Sequence, residues 1–386
     1  MLRIVTGVAG LCVIASLGYY VVASIAALRF AVRAASPAPP IPKIAPRVAI
    51  LKPLRGLGAT LLESLISYLE LDYPRVEFFF GVADYSDRAA EAPVALRERY
   101  HFTPMTMVVG QEPGCANRKV AKLIKMAERA PNAEIVLISD ADIAVDRDHL
   151  RRVVGEMSSD DRVAIVTCLY RARPLGSIAS RLEALAVNTD FAPQVMLSAV
   201  IEPIHYALGA TIAIKRTVLE EIGGFRAIKD VLADDFFLGR MVADRGYQVY
   251  LSGSLVTTIA YERTFADFWN HQLRWARTYR TARPLSLATI VTHGPFWALL
   301  LLAASGGQPF AIKALILVLA ARLGMSALIL VRVLLVPELL RDLWLVPFKD
   351  LCMTAIWFAS LLSNKVIWAG RRLEILPDGK MVEVDE

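Results

Sequence analysis

Cysteine and histidine are scarce in this chain. Its 386 residues include four cysteines and five histidines, and no two cysteines form a Cys-x-x-Cys pair. Two of the four, Cys12 and Cys352, also fall within long apolar segments. Disulfide frameworks and zinc sites are recognised by closely spaced cysteines and histidines. The composition therefore indicates neither a disulfide framework nor a zinc site.

Charged residues are also sparse, at 21% of the chain, and no basic run is interleaved with aromatic residues outside the membrane-proximal part. Such runs mark nucleic-acid binding, so no nucleic-acid partner is predicted. The formal net charge is +6, which a solvated surface would explain. Because long apolar segments are present as well, attraction to anionic lipid headgroups is the favoured interpretation.

Hydrophobic residues are abundant instead. They make up 55% of the chain, and the mean hydropathy is +0.46, which is more apolar than an ordinary soluble enzyme. The excess lies at 4–28, 285–304 and 314–336, with a weaker segment at 351–368. A bilayer crossing takes roughly 20 residues, and the first segment is uncharged and too long for a secretory signal core. We expect a retained anchor in a multi-pass membrane protein.

Charge and proline content divide the chain. Arg29 and Arg33 follow the first apolar segment and only Arg3 precedes it, which predicts a cytoplasmic globular domain on the inner membrane. Five prolines between positions 37 and 46 predict a stiff linker. The predicted units are an N-terminal transmembrane anchor (1–33), a proline-rich linker (34–47), an α/β domain (48–260), an interfacial helix (261–283), C-terminal membrane helices (284–370) and a tail (371–386).

The globular region alternates between strand and helix patterns. The predicted strands cover 48–51, 77–82, 105–109, 134–139, 163–170 and 209–215. The predicted helices cover 61–71, 89–100, 118–130, 174–196 and 217–222. This alternation is typical of an α/β domain with a Rossmann-like, mostly parallel sheet. Ligands of such sheets bind beyond the carboxyl ends of the strands.

An Asp-x-Asp element, Asp140-Ala141-Asp142, follows the predicted strand 134–139. Two carboxylates at positions i and i+2 outside a helix can both reach one Mg²⁺ or Mn²⁺, which takes oxygen ligands. The ion would stabilise a diphosphate leaving group. Surface turns contain the same pattern, so the preceding strand and the other acidic motifs carry the interpretation. Asp140 and Asp142 are the predicted metal ligands.

Two further aspartates have alternative interpretations. Asp84 follows an apolar strand and is predicted either to cap the next helix or to hold the ribose or base of a nucleotide. Asp235 lies between apolar residues, where burial would raise the pKa of its carboxyl. A raised pKa suits a general base that takes a proton from an alcohol. The alternative is that Asp234 or Asp235 caps the following helix.

Residues 265–280 form an amphipathic stretch that contains His271, Arg274 and Trp275. The stretch is typical of an interfacial helix with aromatic anchors. Arg274 could equally hold phosphate oxygens, with Trp275 against the sugar. Both interpretations can hold on different faces of one helix.

Asn117-Arg118-Lys119 opens a predicted helix just after Gly114. Backbone donors and Lys119 at such a position suit an anion, and a solvated helix start is the alternative. Among the other histidines, His149 is predicted to be a surface residue, and His205 and His293 to be structural or interfacial.

Several motifs together resemble the ceramide glucosyltransferase-like family of inverting glycosyltransferases, which have a GT-A fold and a D, D, D, (Q/R)xxRW signature. The motifs are Leu51-Lys52-Pro53-Leu54, Leu71-Asp72-Tyr73-Pro74, Gly81-Val82-Ala83-Asp84, Ser139-Asp140-Ala141-Asp142, Ala233-Asp234-Asp235-Phe236 and Arg274-Trp275. The resemblance implies a UDP-sugar donor and Asp235 as the catalytic base. It implies nucleotide-sugar contacts at Lys52, Pro53, Asp84, Lys119, Asp140, His271, Arg274 and Trp275.

His271 stands where the signature has Gln or Arg. With Asn117-Arg118-Lys119-Val120 and the residues after Trp275, it looks more like the hopanoid-associated branch, similar to enzymes that transfer N-acetylglucosamine to bacteriohopanetetrol. The expected function is therefore sugar transfer to a membrane lipid. Ceramide glucosyltransferase, a processive polysaccharide synthase and a non-enzymatic scaffold are the alternatives. Residues 351–368 are expected to lie along or re-enter the cytoplasmic face, because charges flank the segment.

Overall fold

The polar central region folds around a sheet, as the strand pattern predicts. The structure, a computed structural model, describes residues 1–58, 60–368 and 370–384. The strands of this sheet are β1 (Val48–Pro53), β2 (Val76–Val82), β3 (Met105–Val109), β4 (Ile135–Ser139), β5 (Val163–Pro174), β6 (Thr211–Lys215) and β7 (Gln248–Ala260). A second sheet contains β8 (Lys365–Trp368), β9 (Arg371–Ile375) and β10 (Met381–Glu383).

The order of strands in the first sheet is β3-β2-β1-β4-β6-β5-β7 over the described residues. Every neighbouring pair is parallel except β4/β6 and β6/β5, because β6 runs against both of its neighbours. All residues of β1 and β4 are buried, which explains why these strands are continuous apolar runs rather than alternating ones. The mixed α/β fold of the GT-A type is thus confirmed.

Helices cover both faces of the sheet and extend beyond it. They are α1 (Leu2–Ala35), α2 (Leu61–Leu69), α3 (Glu91–Arg99), α4 (Arg118–Arg129), α5 (His149–Ser158), α6 (Ile178–Ala186), α7 (Ala192–Ile201), α8 (Arg216–Glu221), α9 (Asp234–Ala243), α10 (Phe265–Ala282), α11 (Gly294–Ala304), α12 (Pro309–Leu328) and α13 (Val346–Ser360). The predicted helices are confirmed to within a few residues. The prediction for 174–196 missed a π-helical segment, Val187–Phe191, which joins α6 to α7.

The predicted linker is fixed to the globular domain. Arg152 donates a hydrogen bond to the carbonyl of Ser36, and Tyr73 donates one to the carbonyl of Pro46. A Cβ added at Gly155 would meet the carbonyl oxygen of Pro39 at 2.1 Å, so this glycine allows the linker to pack on α5. The segment therefore holds α1 in place against the domain.

Three described helices are long and apolar enough to cross a membrane: Leu2–Ala35, Ile178–Ile201 and Pro309–Val333. The second was not among the predicted membrane segments. The predicted segment 285–304 is a pair of helices, Pro284–Thr292 and Gly294–Ala304, bent by 59°. This pair runs antiparallel to α1, because Thr6 reaches the carbonyl of Ala304 while Tyr20 reaches that of Thr292.

The segment 351–368 does not form a continuous helix. Helix α13 ends at Ser360, and the chain then enters β8. The region predicted as a tail is also folded, since β9 and β10 continue the small sheet. Hydrogen bonds from Met381 to Asp230 and from Leu232 to Gly379 attach this sheet next to the start of α9. The C-terminal residues therefore pack on the globular domain beside α9.

Candidate active site

The acidic motifs that are distant in sequence meet at one cavity. Asp140 and Asp142 follow β4, while Asp234 and Asp235 begin α9. All four line a cavity of about 1420 Å³. The opposite wall is formed by α10 and α13. Residues that follow a parallel strand lie at the carboxyl edge of the sheet, which places Asp140 and Asp142. Lys119 connects Asp140 at this edge to Asp234 at the start of α9.

Lys119 joins two of the acidic motifs. Its Nζ lies 2.7 Å from Asp140 Oδ1 and 3.4 Å from Asp234 Oδ2. Asn117 caps α4 by accepting hydrogen bonds from the backbone N–H groups of Lys119 and Val120, which fixes the direction of the lysine. Burial opposes the charge, but Asp140 and Asp234 raise the pKa of Lys119 above its ordinary value. The ammonium is therefore a permanent cation at the centre of the site.

Asp142 is held by the last strand of the sheet. Ala144 and Thr257 exchange backbone hydrogen bonds of 2.8 and 2.9 Å, and Thr258 donates a 2.6 Å hydrogen bond to Asp142 Oδ2. Burial and the neighbouring Asp140 raise the pKa of Asp142. Two carboxylates that destabilise each other's charge form a donor set that suits a hard cation.

Asp235 has the environment predicted for a general base. Burial and the adjacent Asp234 raise the pKa of its carboxyl to about 6. Its Oδ1 accepts a 2.8 Å hydrogen bond from the N–H of Phe236. Neither Asp234 nor Asp235 is the helix cap, because the N-cap residue of α9 is Ala233. The capping alternative was wrong, because both carboxylates lie inside the first turn of the helix, where Asp234 pairs with Lys119.

Arg274 and Trp275 lie on α10, which is the predicted amphipathic helix. A capping box formed by Thr264 and Asp267 starts this helix, and the buried ring of Phe268 fixes it against α6 and α13. Both Arg274 and Trp275 line the cavity. Burial lowers the pKa of Arg274, and its side chain forms no hydrogen bond or ion pair with any described residue. A half-buried guanidinium of this kind suits an anionic ligand.

His271 also lines the cavity, and its Nδ1 lies 2.8 Å from Glu183 Oε1. The same oxygen accepts a 2.8 Å hydrogen bond from Gln272 Nε2. The carboxylate of Glu262 approaches the imidazole at 3.6 Å. The sequence interpretation missed both glutamates. The available signal was the single carboxylate of Glu183 within the otherwise apolar end of α6.

Lys52, Pro53 and Asp84 lie away from this cavity. Lys52 is fully buried, and its Nζ donates to Ser139 Oγ and to the carbonyls of Asp140 and Ile143. The position of Lys52 differs from the predicted direct contact with the nucleotide, because its ammonium group is hydrogen-bonded to the loop that carries the Asp-x-Asp element. Burial lowers the pKa of Lys52 to about 7. The buried Pro53 ends β1.

Asp84 is exposed beyond the end of β2, and its carboxylate accepts a 2.8 Å hydrogen bond from the N–H of Ser86. The helical turn that follows is capped by Asp87. The capping alternative for Asp84 was therefore wrong. Its nucleotide-binding role stays a prediction.

The prediction that His149 is a surface residue was wrong. His149 is fully buried, and its Nδ1 lies 2.8 Å from Ser254 Oγ. Burial lowers the pKa of the imidazole to about 3, so the ring is neutral. Tyr68 packs edge-on against it. The first residue of α5 points inward because that helix starts over the sheet.

The sheet order and the acidic cavity at its edge together define an α/β fold of the GT-A type. The chain belongs to Glycosyl transferase family 21, whose profile matches residues 8–381. The family-level resemblance predicted from the motifs is thus confirmed, whereas the hopanoid branch is not tested by this match.

Two curated relatives are similar to part of the chain. The chain is 24% identical over 232 residues to ceramide glucosyltransferase 3 of Caenorhabditis elegans, which covers 60% of this chain and 50% of the relative. It is 20% identical over 218 residues to the poly-β-1,6-N-acetyl-D-glucosamine synthase of Staphylococcus epidermidis, covering 56% of this chain and 51% of the relative. The chain thus spans about half the length of the curated relatives it matches.

A solved structure has the same fold. It is a mannosyltransferase from Pyrobaculum calidifontis in complex with GDP-mannose and Mn²⁺, with a TM-score of 0.52 and 22% identity. The similarity covers 93% of this chain and 99% of that chain. It therefore extends beyond the sheet.

Proposed function

We propose that this protein transfers a sugar from a UDP carrier to a hydroxyl group of a membrane lipid, with inversion at the anomeric carbon. The observation that carries the proposal is the placement of Asp235, Asp140 and Arg274 around one cavity whose opposite wall includes apolar side chains of α13. A base, a cationic site for a diphosphate and an apolar wall are the three requirements of such a reaction. The family and the ceramide glucosyltransferase relatives support the lipid acceptor.

The proposed reaction is a single displacement. Asp235 takes the proton from the acceptor hydroxyl while the hydroxyl oxygen attacks the anomeric carbon. The bond from that carbon to the diphosphate breaks, and the leaving group departs with both electrons. Arg274 and Lys119 supply positive charge on that side of the cavity. A single displacement inverts the configuration of the sugar.

The residues present suit a divalent cation. Asp140 and Asp142 provide oxygen donors, and the raised pKa of Asp142 indicates a carboxylate whose charge needs a nearby cation. Bound Mg²⁺ or Mn²⁺ would neutralise charge on the diphosphate. Lys119 already neutralises one oxygen of Asp140, so Asp142 is the stronger candidate ligand.

The remaining contacts with the nucleotide-sugar are proposed from the positions of the predicted residues. Trp275 packs with Phe191 and Tyr279 at centroid distances of 5.8 and 6.0 Å, which makes a rigid wall for the sugar. Asp84 at the exposed end of β2 is proposed to bind the ribose or base. Lys52 is proposed to position the loop that carries Asp140, through its carbonyl contacts, and Pro53 to set the end of β1.

The lipid would lie along the part of α13 that lines the cavity. Met353, Ile356 and Trp357 of α13 line the same cavity as Asp235, so a lipid tail can pack there while its hydroxyl approaches the base. Bacteriohopanetetrol with N-acetylglucosamine is the specific pair that we propose. Ceramide with glucose is the alternative that the relatives named above support.

The proposed orientation has the catalytic domain in the cytoplasm. With α1, the bent pair and Pro309–Val333 as three spans, the chain returns to the side of the catalytic domain before α13. Folding of β9 and β10 against that domain fits this count. We propose the inner membrane as the location, with Arg29 and Arg33 on the cytoplasmic side.

The test uses the full-length protein purified in detergent. It receives UDP-glucose or UDP-N-acetylglucosamine together with ceramide, diacylglycerol or bacteriohopanetetrol, and products are identified by mass spectrometry. A lipid carrying one sugar is the expected product. A ladder of polymeric products would favour a processive synthase, the activity named for the Staphylococcus relative. If the protein is a non-enzymatic scaffold, neither wild type nor Asp235→Asn gives a product from any pair of UDP-sugar and lipid.

A further inference from the structure

Two carboxylates at the cavity wall each have an oxygen without a hydrogen-bond partner in the part of the chain that the structure describes. Glu183 is 2% exposed. Its Oε1 accepts from both His271 and Gln272, whereas its Oε2 is buried without a hydrogen bond among the described residues. Glu262 Oε2 is in the same state. A buried acceptor that lacks a donor is costly, which indicates that a bound molecule completes both groups.

The two glutamates come from separate elements that converge on one helix. Glu183 lies on α6, Glu262 follows β7, and His271 lies on α10. One ligand atom from each lies within 4.8 Å of the others. All three residues line the cavity that contains Asp235. A lipid whose hydroxyl group is deprotonated by Asp235 therefore occupies the same cavity as these three residues.

We propose that Glu183, Glu262 and His271 form an acceptor subsite that binds an uncharged, hydroxyl-bearing lipid headgroup. The subsite rests on the proposed function, since it names the headgroup chemistry of the acceptor. Glu183 Oε1 already accepts two hydrogen bonds, so its Oε2 lacks a donor such as a hydroxyl group. Burial and the nearby Glu183 raise the pKa of Glu262 to about 7, so its carboxyl can either accept a hydrogen bond from a hydroxyl group or donate one to it. The negative charge of this subsite also repels an anionic headgroup such as a phosphate.

The contacts favour this ligand over a metal ion. His271 Nδ1 and Gln272 Nε2 already donate to Glu183 Oε1. A cation held by His271 Nδ1 and Glu183 Oε1 would displace both hydrogen bonds. A hydroxyl group that donates to either Oε2 displaces neither. The guanidinium of Arg274 on the same helix also opposes a further cation.

The experiment compares the variants Glu183→Gln and Glu262→Gln with the matched control Glu202→Gln. Glu202 lines the same cavity, but its carboxylate is paired with Arg283 at 2.7 Å. KM values for the lipid and for the UDP-sugar are measured with the lipid that wild type glycosylates, among ceramide, diacylglycerol and bacteriohopanetetrol. Each subsite variant is expected to raise the lipid KM by about tenfold to a hundredfold. The UDP-sugar KM should stay within about twofold, and the control should change neither KM by more than about twofold.

A second measurement detects the predicted rejection of anions. Ceramide 1-phosphate should inhibit the double variant at about tenfold lower concentration than wild type. Unchanged lipid KM values, or equal rises in both KM values, would overturn the subsite. Loss of UDP binding would show that Glu183→Gln fails to fold. In that case Glu262→Gln alone tests the subsite, because Glu262 lies outside the buried helix α6.

Calorimetry with Mn²⁺ alone separates the metal alternative. The first protein carries Asp140→Asn and Asp142→Asn, and the second carries Glu183→Gln in addition. If the first binds Mn²⁺ and the second does not, the glutamates form a cation site and the proposal is overturned. The proposed function fails in a different way. In that case wild type glycosylates none of the three lipids and does not bind UDP.

Discussion

Gly209 lies directly against the carboxylate of Asp235. A Cβ added at Gly209 would fall 2.9 Å from Asp235 Oδ2, closer than a carbon and an oxygen can approach without a shift. Gly209 precedes β6, and Asp235 stands in the first turn of α9. Because Gly209 has no side chain, the carboxylate of Asp235, the proposed base, can occupy this position.

Gly209→Ala is expected to lower kcat by about a hundredfold, since a shift of the order of 1 Å in a reacting group has that effect. The Kd for UDP should not change. The control is Gly324→Ala, where an added Cβ meets nothing within 4 Å. Steady-state kinetics and UDP calorimetry test the prediction. Wild-type kcat in the Gly209 variant would contradict the placement of the base.

Asp235→Asn should remove at least about a hundredfold of the transfer rate, the low end of general-base contributions. Asp244→Asn is the matched control, because Asp244 ends the same helix and pairs with Arg240 at the exposed surface. NMR of the product from an α-linked donor should give a β linkage. An α-linked product would refute the single displacement.

The acid side of the pH–rate profile should report Asp235. Only the ionised carboxylate accepts a proton. Burial, and after it the charge of Asp234, raises the pKa of Asp235 to about 6. kcat/KM should therefore be constant above about pH 7 and fall about tenfold per pH unit below about pH 6. The residual rate of Asp235→Asn should lack this decline. A profile that is flat down to pH 4.5 would exclude Asp235 as the base.

Chelation should abolish activity, because Asp140 and Asp142 present oxygen donors to a diphosphate that needs a counter-charge. Activity after EDTA treatment and restoration with Mg²⁺ or Mn²⁺ is the measurement. Asp142→Asn should raise the metal concentration needed for half-maximal rate by about tenfold or more. Undiminished turnover after rigorous chelation would leave Lys119 and Arg274 as the groups that carry the phosphate charge.

Labelling of introduced cysteines should place the C-terminal sheet in the cytoplasm. Asp378→Cys lies at the exposed turn between β9 and β10, and Gln308→Cys lies in the exposed connection between α11 and α12. In intact cells an impermeant thiol reagent should label position 308 and not position 378. Permeabilised cells should show labelling at both. Labelling of position 378 in intact cells would reverse the proposed side.

The sheet was predictable because its signal is local. Strands such as β1 and β4 are short apolar runs that end at turn residues, and the helices between them have their own periodicity. The Asp-x-Asp element could be placed at a strand end for the same reason. The apolar surroundings of Asp235 also predicted its raised pKa, which the structure confirms.

The membrane region was predicted less well, because hydropathy does not distinguish a lipid-facing helix from a protein-facing one. Ile178–Ile201 is apolar enough to span a bilayer, yet it connects β5 to β6 of the catalytic sheet. Residues 351–368 appeared as one weak segment, but their last four residues are paired in β8. Strand pairing with β9 decided that outcome, and no local pattern encodes it.

The sequence by itself determined the α/β fold type, the acidic motifs and the apolar segments, since each depends on neighbours within a few positions. Only the tertiary structure decided that Lys119 joins Asp140 to Asp234, and that Glu183 meets His271 across 88 positions. It also decided that Lys52 holds a loop from inside the core. Such contacts depend on the order and direction of the strands, which bring distant residues to one edge of the sheet.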